Sequence, residues 1–500
     1  MASLKQNIIA NFGGQSVSVL VGLLAMPIYL RILGIESYGL IGFYLSLQAM
    51  FAILDLGLSS TLSRELARYT HSGDDPNIQR DLVRTLEWLY WPIGALIALL
   101  VFAVSDSIAL HWLKTVTLTP AETAAAISLM GLATALQWPF ALYQGGLRGV
   151  ERQVSLNLLS AGSAITRTVA CILVLMYVTP TLPAFLACQI AIAALQTMLS
   201  RSLLWRILPP GNRAPKFSRE LLVSVRRFSL GLTGISILTL LLMQSDKIIL
   251  SSMLPLDEFG YYTVAATVAG ALSSTVGPFF FSLYPRYSGL VATGATASLI
   301  DLYHQSNQWL TVCVTSVATV VALFAHDLLF LWTHDPVVAS KSAPILSILI
   351  IGTALQGLAH LPYALQLAHG WTRLAFYQNL IAIFVIVPAI WWLAHWYGGL
   401  GAAFALLALN LVGIIVTVPV MHNRLLRGEL SRWYGHDILP PTLAALFVAL
   451  SARILVPAIP GGLAGVALLA AIGGATLAAS CLASSSIRAF LMCRLRLLVS

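Results

Sequence analysis

Long apolar runs separated by short polar joints dominate the chain. Fourteen such runs can be read, at 8–31, 38–61, 86–110, 122–145, 154–178, 182–204, 229–254, 261–284, 305–332, 343–367, 374–396, 399–421, 438–458 and 461–484. About twenty mostly apolar residues are what an α-helix needs to cross a bilayer. Breakers stand at the joints, among them Pro180, Pro183, Pro255, Gly398, Gly399, Pro460, Gly461 and Gly462. The pattern predicts an all-α polytopic membrane protein of about 14 transmembrane helices, with no loop large enough to form a separate soluble domain. The first run is long enough to span and is not followed by a small-residue cleavage site, so it is expected to be a retained helix.

The polar positions inside these runs carry the next level of information. The run 229–254 contains Asp246 and Lys247, and a charge at membrane depth costs roughly 2.5–3.5 kcal/mol. Such a residue faces a bundle interior or a water-filled cavity, or it lies near a helix end and snorkels to the interface. Polar residues also recur at helical spacing: Asn7, Asn11, Gln15, Ser18 and Gly22 in the first run, and Ser236, Thr239, Met243 and Asp246 in the seventh. Tyr44, Gln48, Asp55 and Ser59 mark the second run, and Asn157, Ser160, Arg167 and Cys171 the fifth. A single Ser, Thr, Asn or Gln is better explained as interhelical glue worth under about 1 kcal/mol. Stripes on several helices point instead to a polar cavity between the halves of the protein. Arg167 sits near the middle of its run without a carboxylate near it in sequence. It therefore implies a cavity, an anionic ligand or a partner on another helix.

The chain also repeats itself at an offset of 221 residues. LGIESYG, with Glu36 and Gly39, answers LPLDEFG, with Asp257 and Gly260. Asp106 answers Asp327, Gly131 answers Gly352, Gly149 answers Gly370 and Arg152 answers Arg373. Helices one to six thus read as a copy of helices seven to twelve. An even number of helices per copy gives parallel topology, so the expectation is two six-helix bundles related by a pseudo-two-fold along the membrane normal. Two C-terminal helices are added to them. The expected boundaries are 1–205 for the first bundle, 206–228 for a basic cytoplasmic linker, 229–423 for the second bundle, 438–484 for the added pair and 485–500 for a basic tail.

Composition agrees and charge fixes an orientation. The chain is 58% hydrophobic and 9% charged, against about 25% charged residues in a soluble domain. With the N-terminus inside, most of the 28 Lys and Arg fall on cytoplasmic segments, as the positive-inside rule requires. Arg201, Arg206, Arg213, Lys216, Arg219, Arg226 and Arg227 cluster between helices six and seven. Both termini are then cytoplasmic. The net charge of +9 is topological, which removes nucleic acid as a partner and leaves attraction to anionic lipid headgroups. The five cysteines are scattered without metal-ligand spacing, and no cofactor or metal is indicated. No phosphate-binding loop of the G-x-x-x-x-G-K-[ST] type, no H-E-x-x-H and no G-x-S-x-G is present. No catalytic residue is indicated.

Several of these segments resemble a known family. PIYLRILGIESYGL, LDLGLSSTLSRELA, QGGLRGVERQ and DKIILSSMLPLDEFGYY, in that order and spacing, are similar to the polysaccharide flippases that move O-antigen and related repeat units. These belong to the superfamily that also holds multidrug and toxic-compound extrusion transporters and lipid II flippases. The resemblance implies two bundles around a cavity that opens alternately to either side of the bacterial inner membrane. It implies an undecaprenyl-pyrophosphate-linked oligosaccharide as cargo, carried to the periplasmic leaflet. Membrane lipids and a polysaccharide polymerase or other assembly proteins are the implied partners. Arg167 and Lys247 would offset the pyrophosphate charge, while Asn11, Gln15, Ser18, Gln48 and Thr239 would hydrogen-bond sugar. Asp246, Asp55 and Arg64 are the candidates for coupling to a proton or sodium gradient, or for gating. Lipid II carriers have basic residues on the cavity face of the first helix. Here that face is neutral, which leans towards a polysaccharide carrier. The alternatives are a cation-coupled multidrug exporter, and a membrane glycosyltransferase or ligase, which the missing outer loop disfavours.

Overall fold

The computed structural model describes the backbone of residues 4–72 and 76–489, and within it the side chains of 17–70, 76–223 and 237–489. Contacts divide the chain into two compact units, Met1–Gly260 and Tyr261–Ser500. In chain order the helices are α1 (Leu4–Ala52), α2 (Leu58–Ser72), α3 (Pro76–Ser107), α4 (Pro120–Gln137), α5 (Phe140–Gly149), α6 (Gln153–Tyr177), α7 (Leu182–Ile207), α8 (Arg219–Met253) and α9 (Leu256–Ala292). There follow α10 (Thr296–Leu323), α11 (Ala325–Thr333), α12 (Pro336–Ala368), α13 (Thr372–Val412), α14 (Val418–Leu425), the single turn α15 (Leu430–Arg432), α16 (Leu439–Leu455) and α17 (Gly462–Ala483).

The apolar runs explain this order directly. Among the described residues, 11 helical stretches are long and apolar enough to cross a membrane. Two of them, Val17–Asp55 and Thr372–Leu425, each hold two of the apolar runs. α1 is broken at Gly34 (φ 79°) and α13 at Gly398 (φ 58°), and both angles lie in the left-handed region that glycine enters without a Cβ penalty. The run 229–254 lies in α8. Each of the fourteen runs thus has its helix, and the protein is an all-α, multi-pass membrane protein.

In the first unit the two copies of the repeat motif meet. A Cβ on Gly39 would stand 2.3 Å from the Leu256 carbonyl oxygen, and one on Gly260 would stand 2.5 Å from the Ile35 carbonyl oxygen. Backbone approaches backbone here, and a methyl group at either place has nowhere to go. The segment 112–117 stitches the same region. The Glu36 carboxylate accepts the backbone N–H groups of Val116 (2.6 Å) and Thr117 (2.9 Å), and the Leu256 N–H donates to the Lys114 carbonyl (2.8 Å). Lys114 Nζ donates to the Met253 carbonyl at 2.8 Å, and Trp112 Nε1 to Ser251 Oγ at 3.0 Å. The basic stretch before α8 is held on α3. Asp81 takes the Arg213 guanidinium and the Lys216 N–H (2.8 Å), while Thr85 Oγ1 accepts from the Ser218 N–H (2.9 Å).

In the second unit α10 is the central helix. Its Tyr303, His304, Asn307 and Gln308 are all buried. His304 is bracketed by Asp437 and by Glu429, the latter at 3.0 Å. Gln308 donates to Asp437 (3.0 Å) and accepts from the Ser484 hydroxyl (2.8 Å), and Trp433 donates to Asn307 at 3.1 Å. The α16–α17 hairpin packs on α10 through Val320, Phe324, Ala449 and Ile472. An Arg453–Asp327 ion pair at 2.8 Å ties α16 to the adjoining α11. The two added helices are thereby bound into this unit through both an apolar seam and a polar cluster.

Gly39→Ala and Gly260→Ala should each destabilise the protein by about 1–3 kcal/mol, the usual penalty for forcing a methylene into a filled contact. Thermal unfolding in detergent measures this. Gly270, whose added Cβ would meet nothing within 4 Å, is the control and should tolerate Ala without loss.

Candidate functional site

The most polar cavity described lies in the first unit, where α1 stops. After Ala52 the chain makes one tight turn over Ile53–Asp55 and then reverses through Leu56 (φ 46°) and Gly57 (φ 75°) before α2 begins. That reversal lifts Asp55 out of the helical hydrogen-bond ladder. Its carboxylate accepts the Ser59 hydroxyl at 2.9 Å and the Tyr90 hydroxyl from α3. Opposite, α4 ends at Gln137 and α5 restarts after Pro139. Pro139 has no N–H to continue the ladder, so Trp138 is placed at the joint. Its ring stacks on Tyr90 at 4.5 Å, and its Nε1 donates to the Phe51 carbonyl at 3.0 Å. The space between these ends is a cavity of about 330 Å³ lined by Gln48, Ala52, Asp55, Ser59, Thr134, Gln137, Trp138, Phe140, Ala141 and Gln144.

The glycines of QGGLRGVERQ bring the far wall close. A Cβ on Gly145 would lie 2.3 Å from the Ser59 carbonyl oxygen, and one on Gly149 would lie 2.6 Å from that of Ser63. α5 can therefore press against α2, which carries Ser59 into the site. Gln48 donates to the Tyr44 hydroxyl at 2.8 Å, one turn back along α1.

Behind Gln137 stands Arg167 of α6. One Nη of the guanidinium donates to the Oε1 atoms of Gln137 and Gln196, both at 2.9 Å. Its Nε is buried with no hydrogen-bond partner among the described residues. It makes no ion pair there either. Neutral amides thus fix the cation without cancelling its field, and in a low-dielectric setting an uncancelled charge acts over a longer reach. The site as a whole offers amides and hydroxyls for hydrogen bonding, one carboxylate at the kink, and one cation at the back. It suits a polar ligand with an anionic portion.

Of the residues singled out in the sequence, Gln48 and Asp55 line the cavity and Arg167 is joined to it through Gln137. Ser18 and Thr239 are half-buried on α1 and α8, and Asp246 is buried on α8 with Lys247 half-buried beside it. Arg64 lies on the exposed face of α2, 3.2 Å from Glu65. None of these five lines the cavity. The side chains of Asn7, Asn11, Gln15 and Ser236 lie outside the described residues. Tyr90, Gln137, Gln144 and Gln196 are additions that the sequence pattern does not single out. The available signal is the isolated amides inside the runs 122–145 and 182–204, which have the same meaning as Gln48.

Comparison with known proteins bears on what this fold does. A family described as polysaccharide biosynthesis protein matches residues 4–291. No curated protein matches the chain at a significant level. Among solved structures, the lipid II flippase MurJ in an inward closed conformation aligns with a TM-score of 0.73 at 12% identity, covering 94% of this chain and 97% of that one. An inward-facing multidrug resistance MATE family transporter of the MOP superfamily aligns with a TM-score of 0.65 at 16% identity, covering 82% and 94%. A MOP superfamily transporter from Pyrococcus furiosus gives 0.52 at 16% identity, covering 84% and 96%. At such identities the likeness establishes the shared fold. The family assignment comes from the sequence match, which takes in more than half of the chain: this protein belongs to the polysaccharide biosynthesis protein family and has the fold of membrane flippases and transporters.

Proposed function

We propose that the protein is a flippase for undecaprenyl-pyrophosphate-linked oligosaccharide repeat units in surface polysaccharide biosynthesis, such as O-antigen or exopolysaccharide. It works by alternating access in the bacterial inner membrane, with both termini cytoplasmic. The observation that carries this reading is Arg167, a guanidinium held by two glutamines at the back of a polar cavity and without an ion-pair partner among the described residues. A pyrophosphate needs such a cation, and sugar hydroxyls match Gln48, Gln137, Gln144 and Ser59. In this reading Asn11, Gln15, Ser18, Thr239 and Lys247 extend the path of the cargo along α1 and α8. Asp55 and Asp246 couple transport to a proton or sodium gradient, and Arg64 acts in gating. The chain acts beside a polymerase and performs no bond chemistry itself. The second reading, a cation-coupled drug exporter, draws on the likeness to MATE structures and on the carboxylate of Asp55 in the cavity. The two differ in cargo. The first requires loss of polysaccharide export when Arg167 is removed, and the second requires a drug-resistance phenotype.

Arg167→Ala should reduce surface-polysaccharide export at least about tenfold in a complementation assay, because a hydrogen bond to a charged group such as a phosphate contributes about 1.5–3 kcal/mol. Arg167→Lys should retain part of it. Normal export by Arg167→Ala at wild-type protein level would discard the assignment. In proteoliposomes, collapsing the proton and sodium gradients should stop translocation, and Asp55→Asn, which keeps the size but not the charge, should abolish the gradient dependence. Gradient-dependent transport by Asp55→Asn equal to wild type would remove Asp55 from coupling.

A further inference from the structure

A second cavity in the first unit has a different character. It has a volume of about 560 Å³ and is lined by α3 and α7, with Glu87, Arg84 and Arg201 at one side and Trp88, Trp91, Pro92, Ala95 and Met198 along the other. It shares no lining residue with the Asp55 cavity, so its role is independent of the transport reading. Glu87 is buried and takes both guanidiniums, Arg84 at 3.0 Å and Arg201 at 2.9 Å. Arg80 lies one turn away, with its guanidinium 5.2 Å from the Trp205 ring centre, and Arg84 approaches the same ring at 5.8 Å. Three cations thus share one carboxylate and one indole, which holds them in place. The cluster keeps a surplus of positive charge.

The depth of this cluster fits a headgroup. The helical stretch Pro76–Trp112 is 37 residues long, about 55 Å at 1.5 Å per residue, so its ends reach well beyond a hydrocarbon core of about 30 Å. Arg84 lies about 12 Å from the start of that stretch, and Arg201 about 9 Å from the end of α7. The apolar wall continues from there towards the core. Trp88 is 62% exposed and Met198 45% exposed, which leaves an apolar surface open beside a cationic end. Tryptophan at such a depth is the usual residue of the membrane interface.

The geometry points to a binding site for an anionic glycerophospholipid, its phosphate on Arg84 and Arg201 and the upper part of an acyl chain against Trp88, Pro92 and Met198. Free phosphate has the same headgroup chemistry, but it would leave the apolar wall uncovered. A zwitterionic lipid would bring its own cation to an already cationic cluster.

The test is native mass spectrometry and thermal unfolding of the full chain in a neutral detergent. It is titrated separately with phosphatidylglycerol, phosphatidylcholine, undecaprenyl phosphate and inorganic phosphate. Phosphatidylglycerol should be retained and should raise the melting temperature, with phosphatidylcholine and inorganic phosphate doing neither. Arg84→Gln should weaken phosphatidylglycerol retention about fivefold, the factor expected for one basic residue at an anionic headgroup, and Arg84→Lys should restore most of it. In Arg84→Gln, Arg201, Tyr143 and Trp205 still donate to Glu87, so the fold is preserved. Trp88→Ala, at an exposed position, should weaken retention without lowering the melting temperature of the lipid-free protein. Equal retention of phosphatidylcholine, or undiminished retention by Arg84→Gln and Trp88→Ala, overturns the site. Stabilisation by inorganic phosphate equal to that by phosphatidylglycerol, or a preference for undecaprenyl phosphate, overturns the identity of the ligand.

Discussion

Glu87 is the point on which the first unit converges. Its carboxylate accepts the Tyr143 hydroxyl from α5 at 2.9 Å, Arg201 Nε at 2.9 Å and Trp205 Nε1 at 2.8 Å from α7, and Arg84 one turn back on α3 at 3.0 Å. Trp91 adds a further link by donating to the Tyr143 hydroxyl at 3.1 Å. A carboxylate inside a membrane protein is tolerable only when its lone pairs are filled. Filling these fixes three helices at one height. Once α5 is set against α3 and α7, its glycines rest on α2, and the break between α4 and α5 comes to face Asp55. The polar cavity is thus a consequence of where one buried acid finds its donors.

The same constraint recurs in the second unit with other residues. Asp437, fully buried, draws His304 and Gln308 of α10 to it, and Gln308 in turn takes the Ser484 hydroxyl just after α17. Lipid offers no water to satisfy a stray polar group, so each group must be satisfied within the protein. Polar clusters therefore act as registration points between the helices. Arg167 departs from this pattern. Among the described residues its partners are amides, which hold the guanidinium without supplying a counter-charge.

Much of the fold could be read from the chain. The lengths of the apolar runs gave the helices, because a bilayer sets one span for all of them. The offset of 221 residues paired Gly39 with Gly260, and the structure brings these two motifs into contact. Gln48, Asp55 and Arg167 were legible as polar residues in apolar surroundings. Lys247 looked equivalent to them by that criterion alone. Its placement beside rather than on the buried face of α8 needed the rotation of that helix about its axis.

What the sequence determined by itself is the class of protein, the number of spans, the internal duplication and the short list of polar residues that lipid would reject. Those follow from local chemistry, since hydropathy and length are properties of a segment. Which polar residues meet was decided only by tertiary packing. Gln137, Gln196 and Arg167 come from α4, α7 and α6, and the residues around Glu87 from α3, α5 and α7. Asp55 reaches Tyr90 only because the backbone reverses at Leu56 and Gly57. Contacts of that kind depend on the relative rotation and height of neighbouring helices, quantities that no single segment encodes.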